Sequence, residues 1–83
     1  MGEYANIKRR DIIRLLKKLE ISNKDLEILR GGKHNIKVKY IHWEQSYPVP
    51  IKHGEVNKHI VKALMKRLVK SDICTKEEFD SLL

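Results

Sequence analysis

The fold is set by residues 26–40, whose sequence is LEILRGGKHNIKVKY. Residues 26–30 are mostly apolar, and residues 34–40 alternate between polar and apolar side chains, as a strand buried on one face does. Gly31 and Gly32 separate the two segments, and glycine accepts the positive φ angles that tight hairpin turns need. The stretch therefore predicts an antiparallel β-hairpin.

The register of this hairpin follows from which side chains share a face, because a slip of one residue would exchange the buried and solvated sets. A two-residue turn would place Ile28 opposite Asn35, so we expect a three-residue loop at residues 31–33 instead. The expected pairs are Ile28 with Ile36, Leu26 with Val38, and Arg30 with His34. The outer face then carries Glu27, Leu29, Asn35, Lys37 and Lys39.

A third strand is predicted over residues 47–51, which contain Pro48 and Pro50. The missing N–H groups of these prolines face the same side of the strand, and that side cannot join a hydrogen-bonded ladder. The strand is therefore expected at the edge of the sheet. Residues 36–40 then form the middle strand of a three-stranded antiparallel meander.

Three helices are predicted from apolar residues that recur at three- and four-residue intervals. Residues 8–19 form the first, whose apolar face contains Ile12, Ile13, Leu16 and Leu19. Residues 55–70 form the longest, whose stripe contains Val56, Ile60, Leu64 and Leu68, widened by Val61, Ala63 and Met65. A capping box at Thr75-Lys76-Glu77-Glu78 opens a short helix over residues 76–82, with Phe79 and Leu82 packed onto the domain.

The element order is therefore α-β-β-β-α followed by a short helix, which predicts one α+β domain over residues 1–83. Both main helices are expected on one face of the three-stranded antiparallel sheet. The core is expected to cover about residues 8–70, with a C-terminal helical extension over residues 75–82.

The charge balance points to a polyanion as partner. The 18 lysine and arginine residues exceed the 11 acidic residues and give a formal net charge of +7, which is typical of nucleic-acid-binding domains. The one cysteine, Cys74, excludes an intrachain disulfide and a cysteine-based metal site. No stretch has the apolar length of a signal peptide or a membrane span, so we expect a cytoplasmic protein without a membrane partner.

A candidate catalytic corner follows from the topology of the meander. The third strand ends beside the start of the second, so Ile51 and the residues after it are expected close to His34. Imidazole titrates near neutral pH, which suits His34 to take the proton from an RNA 2′-hydroxyl, whose oxygen then attacks the adjacent phosphorus. This chemistry needs no metal ion and no other cofactor.

Cations and the start of the longest helix are expected around this imidazole. Arg30, Lys33 or Lys52 would stabilise the charge that develops on the phosphorane oxygens. The unpaired N–H groups of the helix start would hold a phosphate, and His53 is a second acid or base candidate. The alternative is that His34 is a polar residue at the end of a strand, without a catalytic role.

The aromatic residues of the chain also allow two interpretations. Tyr40, Trp43 and Tyr47 are able to stack unpaired bases, as aromatic side chains do in single-strand binding, or to fill the core. Tyr40 is in phase with Ile36 and Val38 and is expected in the core, whereas the sequence leaves the role of Trp43 open.

The order of three short motifs resembles the HicA family, the toxins of a bacterial and archaeal toxin–antitoxin system. The motifs are Gly32-Lys33-His34 before an alternating strand, Tyr47-Pro48-Val49-Pro50, and Lys62-Ala63-Leu64-Met65-Lys66, and the resemblance covers about residues 8–68. It implies a fold similar to a double-stranded-RNA-binding domain (dsRBD), mRNA interferase activity, and inhibition by a HicB antitoxin. It also implies that His34 is the essential histidine of a Gly-x-His motif. Many relatives have a second histidine where this chain has Asn35.

On this interpretation mRNA is bound by basic side chains of both the strands and the helices. They are Arg30, Lys33, Lys37, Lys39, Lys52, Lys58, Lys62 and Lys66. Two other functions stay open: a non-catalytic RNA-binding module with a dsRBD-like fold, and a protein-interaction domain whose basic surface binds an acidic partner.

Overall fold

The predicted α+β class and the predicted three-stranded antiparallel sheet are confirmed. The computed structural model describes residues 4–30 and 35–83. In chain order its elements are β1 (Ile7–Lys8), α1 (Arg9–Ser22), β2 (Leu26–Arg30), β3 (Ile36–Tyr40), β4 (Tyr47–Val49), β5 (Glu55–Val56), α2 (Lys58–Lys70) and α3 (Lys76–Leu82). Strands β1 and β5 form a separate two-stranded ribbon.

The larger sheet has the predicted order β2-β3-β4, with β3 in the centre. Both strand pairs are antiparallel. Strand β4 lies at the edge, where proline is tolerated, and Pro48 stands opposite Lys37 of β3. The strand predicted over residues 47–51 is too long, because pairing with β3 ends at Val49.

The hairpin register differs from the prediction by two residues. Arg30 is paired with Ile36 instead of His34, and Ile28 is paired with Val38. The predicted pairings of Ile28 with Ile36 and of Leu26 with Val38 are therefore wrong. Residues 31–34, which include the predicted loop and His34, lie outside the described residues.

The predicted faces of the sheet are nevertheless correct, because a shift of two residues leaves every side chain on its original face. Ile36 and Val38 are 2% and 0% exposed. Lys37 and Lys39, which alternate with them, are exposed on the outer face. The sheet therefore buries one face against the helices and leaves the other open to solvent.

The ribbon of β1 and β5 was not predicted and shortens the longest helix. Val56 pairs with Ile7, so α2 begins at Lys58 and not at residue 55. A tight turn precedes β5: Lys52 and Glu55 exchange two backbone hydrogen bonds of 3.0 and 2.9 Å. Both central residues of this turn, His53 and Gly54, have positive φ (53° and 75°), the requirement of a type I′ hairpin turn.

The core joins the helices to the buried face of the sheet in one cluster. Helix α1 contributes Ile12, Leu15, Leu16 and Leu19, and α2 contributes Val61, Leu64, Met65 and Leu68. The predicted apolar faces of these helices omitted Leu15, which is buried, and wrongly included Ala63, which is exposed. Helix α1 also continues beyond residue 19 and ends at Ser22. The backbone N–H of Asn23 donates to the Leu19 carbonyl at 2.8 Å, and its side-chain Nδ2 donates to the same oxygen at 3.1 Å.

The short helix α3 forms as its capping box predicts. Thr75 accepts a hydrogen bond from the Glu78 amide, and the Glu78 carboxylate accepts one from the Thr75 amide. Phe79 is fully buried, and the ring of Tyr4 meets it edge-on with centroids 5.6 Å apart. Helix α3 therefore closes the core through an aromatic side chain that α1 and α2 do not supply.

We predict that the buried thiol of Cys74 makes the domain less stable at high pH. Burial, and secondly the charge of Glu78, raise the pKa of Cys74 from 9.0 to about 11. Between these two values the unfolded chain loses the proton while the folded chain keeps it, so stability falls as pH rises, by about 2 to 3 kcal/mol. Urea unfolding at a series of pH values measures this fall.

The Cys74→Ala variant is the control, because it lacks the thiol and keeps every other ionisable side chain of the parent chain. Its free energy of unfolding is expected to fall less steeply between pH 9 and pH 11, the interval between the two pKa values of Cys74. Parallel curves for the parent and the variant would contradict the prediction.

Candidate nucleic-acid interface

The turn before β5 is joined to the start of β3 by a side-chain hydrogen bond. The backbone N–H of Ile51 donates to Oδ1 of Asn35 at 3.1 Å. The prediction that Ile51 lies beside the start of the middle strand is therefore confirmed as far as Asn35, which directly follows His34 in the sequence. Lys33 and His34 themselves lie outside the described residues, so their positions stay predictions.

Several of the predicted site residues meet at this end of the sheet. Arg30, Ile36 and Val49 form its last row of paired residues. Arg30 is exposed there, and Lys52 and His53 are exposed on the turn that follows Ile51. The structure therefore brings Arg30, Lys52 and His53 to one end of the sheet.

The β1–β5 ribbon adds basic residues that the sequence interpretation did not assign to this corner. The Arg9 amide donates to the Gly54 carbonyl at 2.9 Å, so the start of α1 lies against the 52–55 turn. Lys8, Arg9, Arg10 and Gly54 line a shallow surface cavity of about 360 Å³. Two-residue strands carry no periodic pattern, so this contact cannot be predicted from the sequence.

The start of α2 offers fewer unpaired N–H groups to a phosphate than the sequence predicts. The helix begins three residues later than predicted, and the Asn57 side chain accepts a hydrogen bond from the His59 amide at 2.8 Å. One of the donors expected to face a phosphate is therefore already paired. Lys58 at the first helical position is exposed, and the first turn carries no acidic residue.

Four lysines follow one another along the exposed surface of α2. Lys58, Lys62, Lys66 and Lys70 are spaced four residues apart, and each is exposed. Among the described residues, none of them forms an ion pair with a carboxylate. Like charges at this spacing oppose helix formation by about 0.2–0.5 kcal/mol per pair, which a bound polyanion would relieve.

Lys37 and Lys39 lie on a different surface from these helical lysines. They project from the open face of the sheet, which is opposite to the face that packs against the helices. Lys39 also stands opposite Glu27 of β2. The predicted RNA-binding residues that the structure describes therefore do not form one continuous surface.

Trp43 lies in a cluster with an arginine of α2. The Arg67 guanidinium carbon is 5.2 Å from the ring centroid of Trp43 and 4.8 Å from that of Tyr47. The indole N–H of Trp43 donates to Oγ of Ser71 at 2.8 Å. Tyr40 packs against the core, as predicted, and its ring contacts Trp43 at 5.6 Å.

Two further searches of the described residues gave negative results. The described part of the chain contains no group of three or more histidine, cysteine, aspartate or glutamate residues that could hold a metal ion. Within the same ranges, 4–30 and 35–83, no helix has the length and apolar character needed to cross a membrane.

No protein-family model matches the chain, and neither a curated protein nor a solved structure matches it.

We predict that Asn35 holds the 51–55 segment against β3. Asn35→Ala removes the acceptor for the Ile51 amide and is expected to destabilise the domain by about 1–2 kcal/mol. Thermal unfolding followed by circular dichroism measures the change. Asn35→Asp is the matched control, because it keeps an oxygen acceptor and is expected to retain more of the stability. Equal melting temperatures for the parent and Asn35→Ala would contradict this role.

We predict that Lys62→Glu stabilises the domain and weakens RNA binding. The variant replaces two like-charge contacts of α2 with opposite-charge contacts to Lys58 and Lys66, which is worth about 1 kcal/mol in total. The melting temperature is expected to rise by about 4 to 8 °C, while affinity for RNA falls and depends less on salt.

Lys24→Glu makes the same change in net charge in the turn before β2 and is the control for this experiment. It is expected to weaken RNA binding less than Lys62→Glu. Equal losses of affinity would mean that net charge, and not the α2 row, determines binding.

Proposed function

We propose that this protein binds and cleaves mRNA, as the toxin of a HicA/HicB-type toxin–antitoxin pair in the cytoplasm. The observation that carries the proposal is the hydrogen bond between Asn35 and Ile51. It ties the residue that follows His34 to the turn that carries Lys52 and His53. In the proposal, the proton acceptor His34, the cation Lys52 and the second imidazole His53 each stand within a few residues of this contact along the chain.

In the proposed reaction, His34 accepts the proton of an RNA 2′-hydroxyl. The freed oxygen attacks the adjacent phosphorus, and the bond from phosphorus to the 5′-oxygen of the next nucleotide breaks. The products are a 2′,3′-cyclic phosphate and a 5′-hydroxyl, whose proton comes from His53 or from water. Arg30, Lys33 and Lys52 stabilise the negative charge on the phosphorane oxygens, and each well-placed donor contributes about 3–4 kcal/mol.

The distribution of charge supports RNA as the substrate. Lysines without carboxylate partners among the described residues follow α2 away from the turn at residues 52–55. A chain of phosphates running from the catalytic corner along α2 would neutralise them, and the released counterions would favour binding. An acidic protein surface would also neutralise these lysines. A cleavage assay distinguishes an RNA substrate from an acidic protein partner.

We further propose that the three-stranded sheet and its helices form a dsRBD-like arrangement. The meander of β2, β3 and β4, with α1 before it and α2 after it, has the element order of that fold. The strongest alternative function uses the same arrangement without cleavage, as a non-catalytic RNA-binding module. A HicB-like antitoxin is the proposed protein partner, which would block the toxin by binding to it.

We predict that His34→Ala abolishes cleavage without abolishing binding. Removal of a general base is expected to slow transcript cleavage by about 10²- to 10⁴-fold, while affinity for RNA stays within a few-fold of the parent value. Gel analysis of a transcript incubated with purified protein measures the rate, and enzymatic detection of 2′,3′-cyclic phosphate ends identifies the reaction.

His59→Ala is the matched control, because it removes an imidazole that is exposed on α2 and is assigned no role. It is expected to cleave at the parent rate. His53→Asn tests the second acid or base, since asparagine tolerates the positive φ of this position. If the parent protein binds RNA and leaves it intact, the non-catalytic alternative is correct; equal cleavage by His34→Ala would overturn the assignment of the base.

A further inference from the structure

The cluster around Trp43 has features that core packing alone does not require. Trp43 is only half-buried, and its indole orientation is fixed by the hydrogen bond to Ser71. Arg67 is exposed and lies over the rings of both Trp43 and Tyr47. Within the described part of the chain, no carboxylate forms an ion pair with Arg67.

Surface cavities border this cluster on two sides. One, of about 480 Å³, lies against the loop between β3 and β4 and is lined by Trp43, Tyr47 and Arg67 together with the polar residues Glu44, Gln45 and Ser46. The other, of about 440 Å³, lies along α2 and is lined by Trp43, Lys66, Arg67, Lys70 and Ser71. Ligand pockets commonly measure about 300–1,000 Å³, so each cavity has room for a nucleotide.

The second cavity lies at the end of the α2 lysine row. Lys58 and Lys70 are twelve residues apart, which is about 18 Å along a helix axis. Lys66 and Lys70 belong to both the row and the cavity. A strand bound along the row from the turn at residues 52–55 would therefore bring one of its nucleotides to Trp43.

We infer that Trp43 and Arg67 form a stacking subsite for an unpaired base of single-stranded RNA, with Lys66 and Lys70 holding its phosphates. Aromatic rings and guanidinium planes both stack on bases. Trp43 and Arg67 line both cavities. Glu44, Gln45 and Ser46 line the cavity on the loop side, on the other side of the cluster from Lys70, and carry groups that hydrogen-bond base edges. A duplex keeps its bases stacked inside and cannot offer one to this subsite. The inference rests on the proposed RNA-binding function and narrows its substrate to single strands.

The chain contains one tryptophan, so its fluorescence reports directly on this subsite. The probe is a 2′-O-methyl oligouridylate of about eight nucleotides, which has no free 2′-hydroxyl and therefore binds without being cleaved. We expect it to quench the emission of Trp43. An abasic oligonucleotide of the same length is expected to bind more weakly and to cause little quenching. A duplex is also expected to bind more weakly and to cause little quenching.

Two variants distinguish the contribution of stacking to RNA affinity from the contribution of charge. Arg67→Lys keeps the positive charge but loses the planar group, so affinity for the oligouridylate is expected to fall about fivefold while affinity for the abasic strand stays unchanged. Trp43→Leu is expected to lower oligouridylate affinity about tenfold, measured with a fluorescent label on the oligonucleotide. If Trp43→Leu does not fold, Arg67→Lys still tests the subsite.

Unchanged Trp43 emission at saturating oligouridylate, or equal binding of abasic and base-containing strands, would overturn the inference. Equal quenching by polyglutamate would also overturn it and indicate an acidic protein as the ligand of this surface. Because the probe cannot be cleaved, the result does not depend on catalysis: a protein that cleaves no RNA can still show the subsite, and an active nuclease can lack it.

Discussion

Burial of Ile36 and Val38 on one face of the central strand fixes the positions of most other elements. Because these side chains alternate with Lys37 and Lys39, only one face of the sheet can meet the helices, and the other stays in water. The pairing of β3 with β4 then carries the chain to Ile51 beside Asn35. The corner proposed for catalysis is therefore a consequence of the same alternation that builds the core.

Much of this arrangement was predictable because it depends on local patterns. The helix periodicities, the edge position of the proline-containing strand and the capping box at Thr75 each follow from a few neighbouring residues. The hairpin register was not predictable, since hydrophobic alternation fixes the face of a residue but not a shift by two positions. The β1–β5 ribbon was missed because two-residue strands are formed by tertiary contact and leave no pattern in the sequence.

The site was predictable to a smaller extent than the fold. The meeting of Ile51 with the start of β3 followed from strand topology, and the structure bears it out at Asn35. The approach of Arg9 to the 52–55 turn and the stacking of Arg67 on Trp43 bring together residues that are distant in sequence. Such contacts depend on how helices pack on the sheet, which no local pattern specifies. The basic residues also divide between two surfaces, a property that net charge cannot reveal.

In the proposed complex, RNA lies along α2, between the turn at residues 52–55 and Trp43. The most direct measurement is the change in backbone amide NMR shifts as an uncleavable RNA strand is added to the isotope-labelled protein. The shifts are expected to change along residues 42–47, 51–55 and 58–70, while those of residues 14–18 of α1 and of the open face of the sheet stay unchanged. Changes confined to residues 14–18 or to the open face would contradict this path.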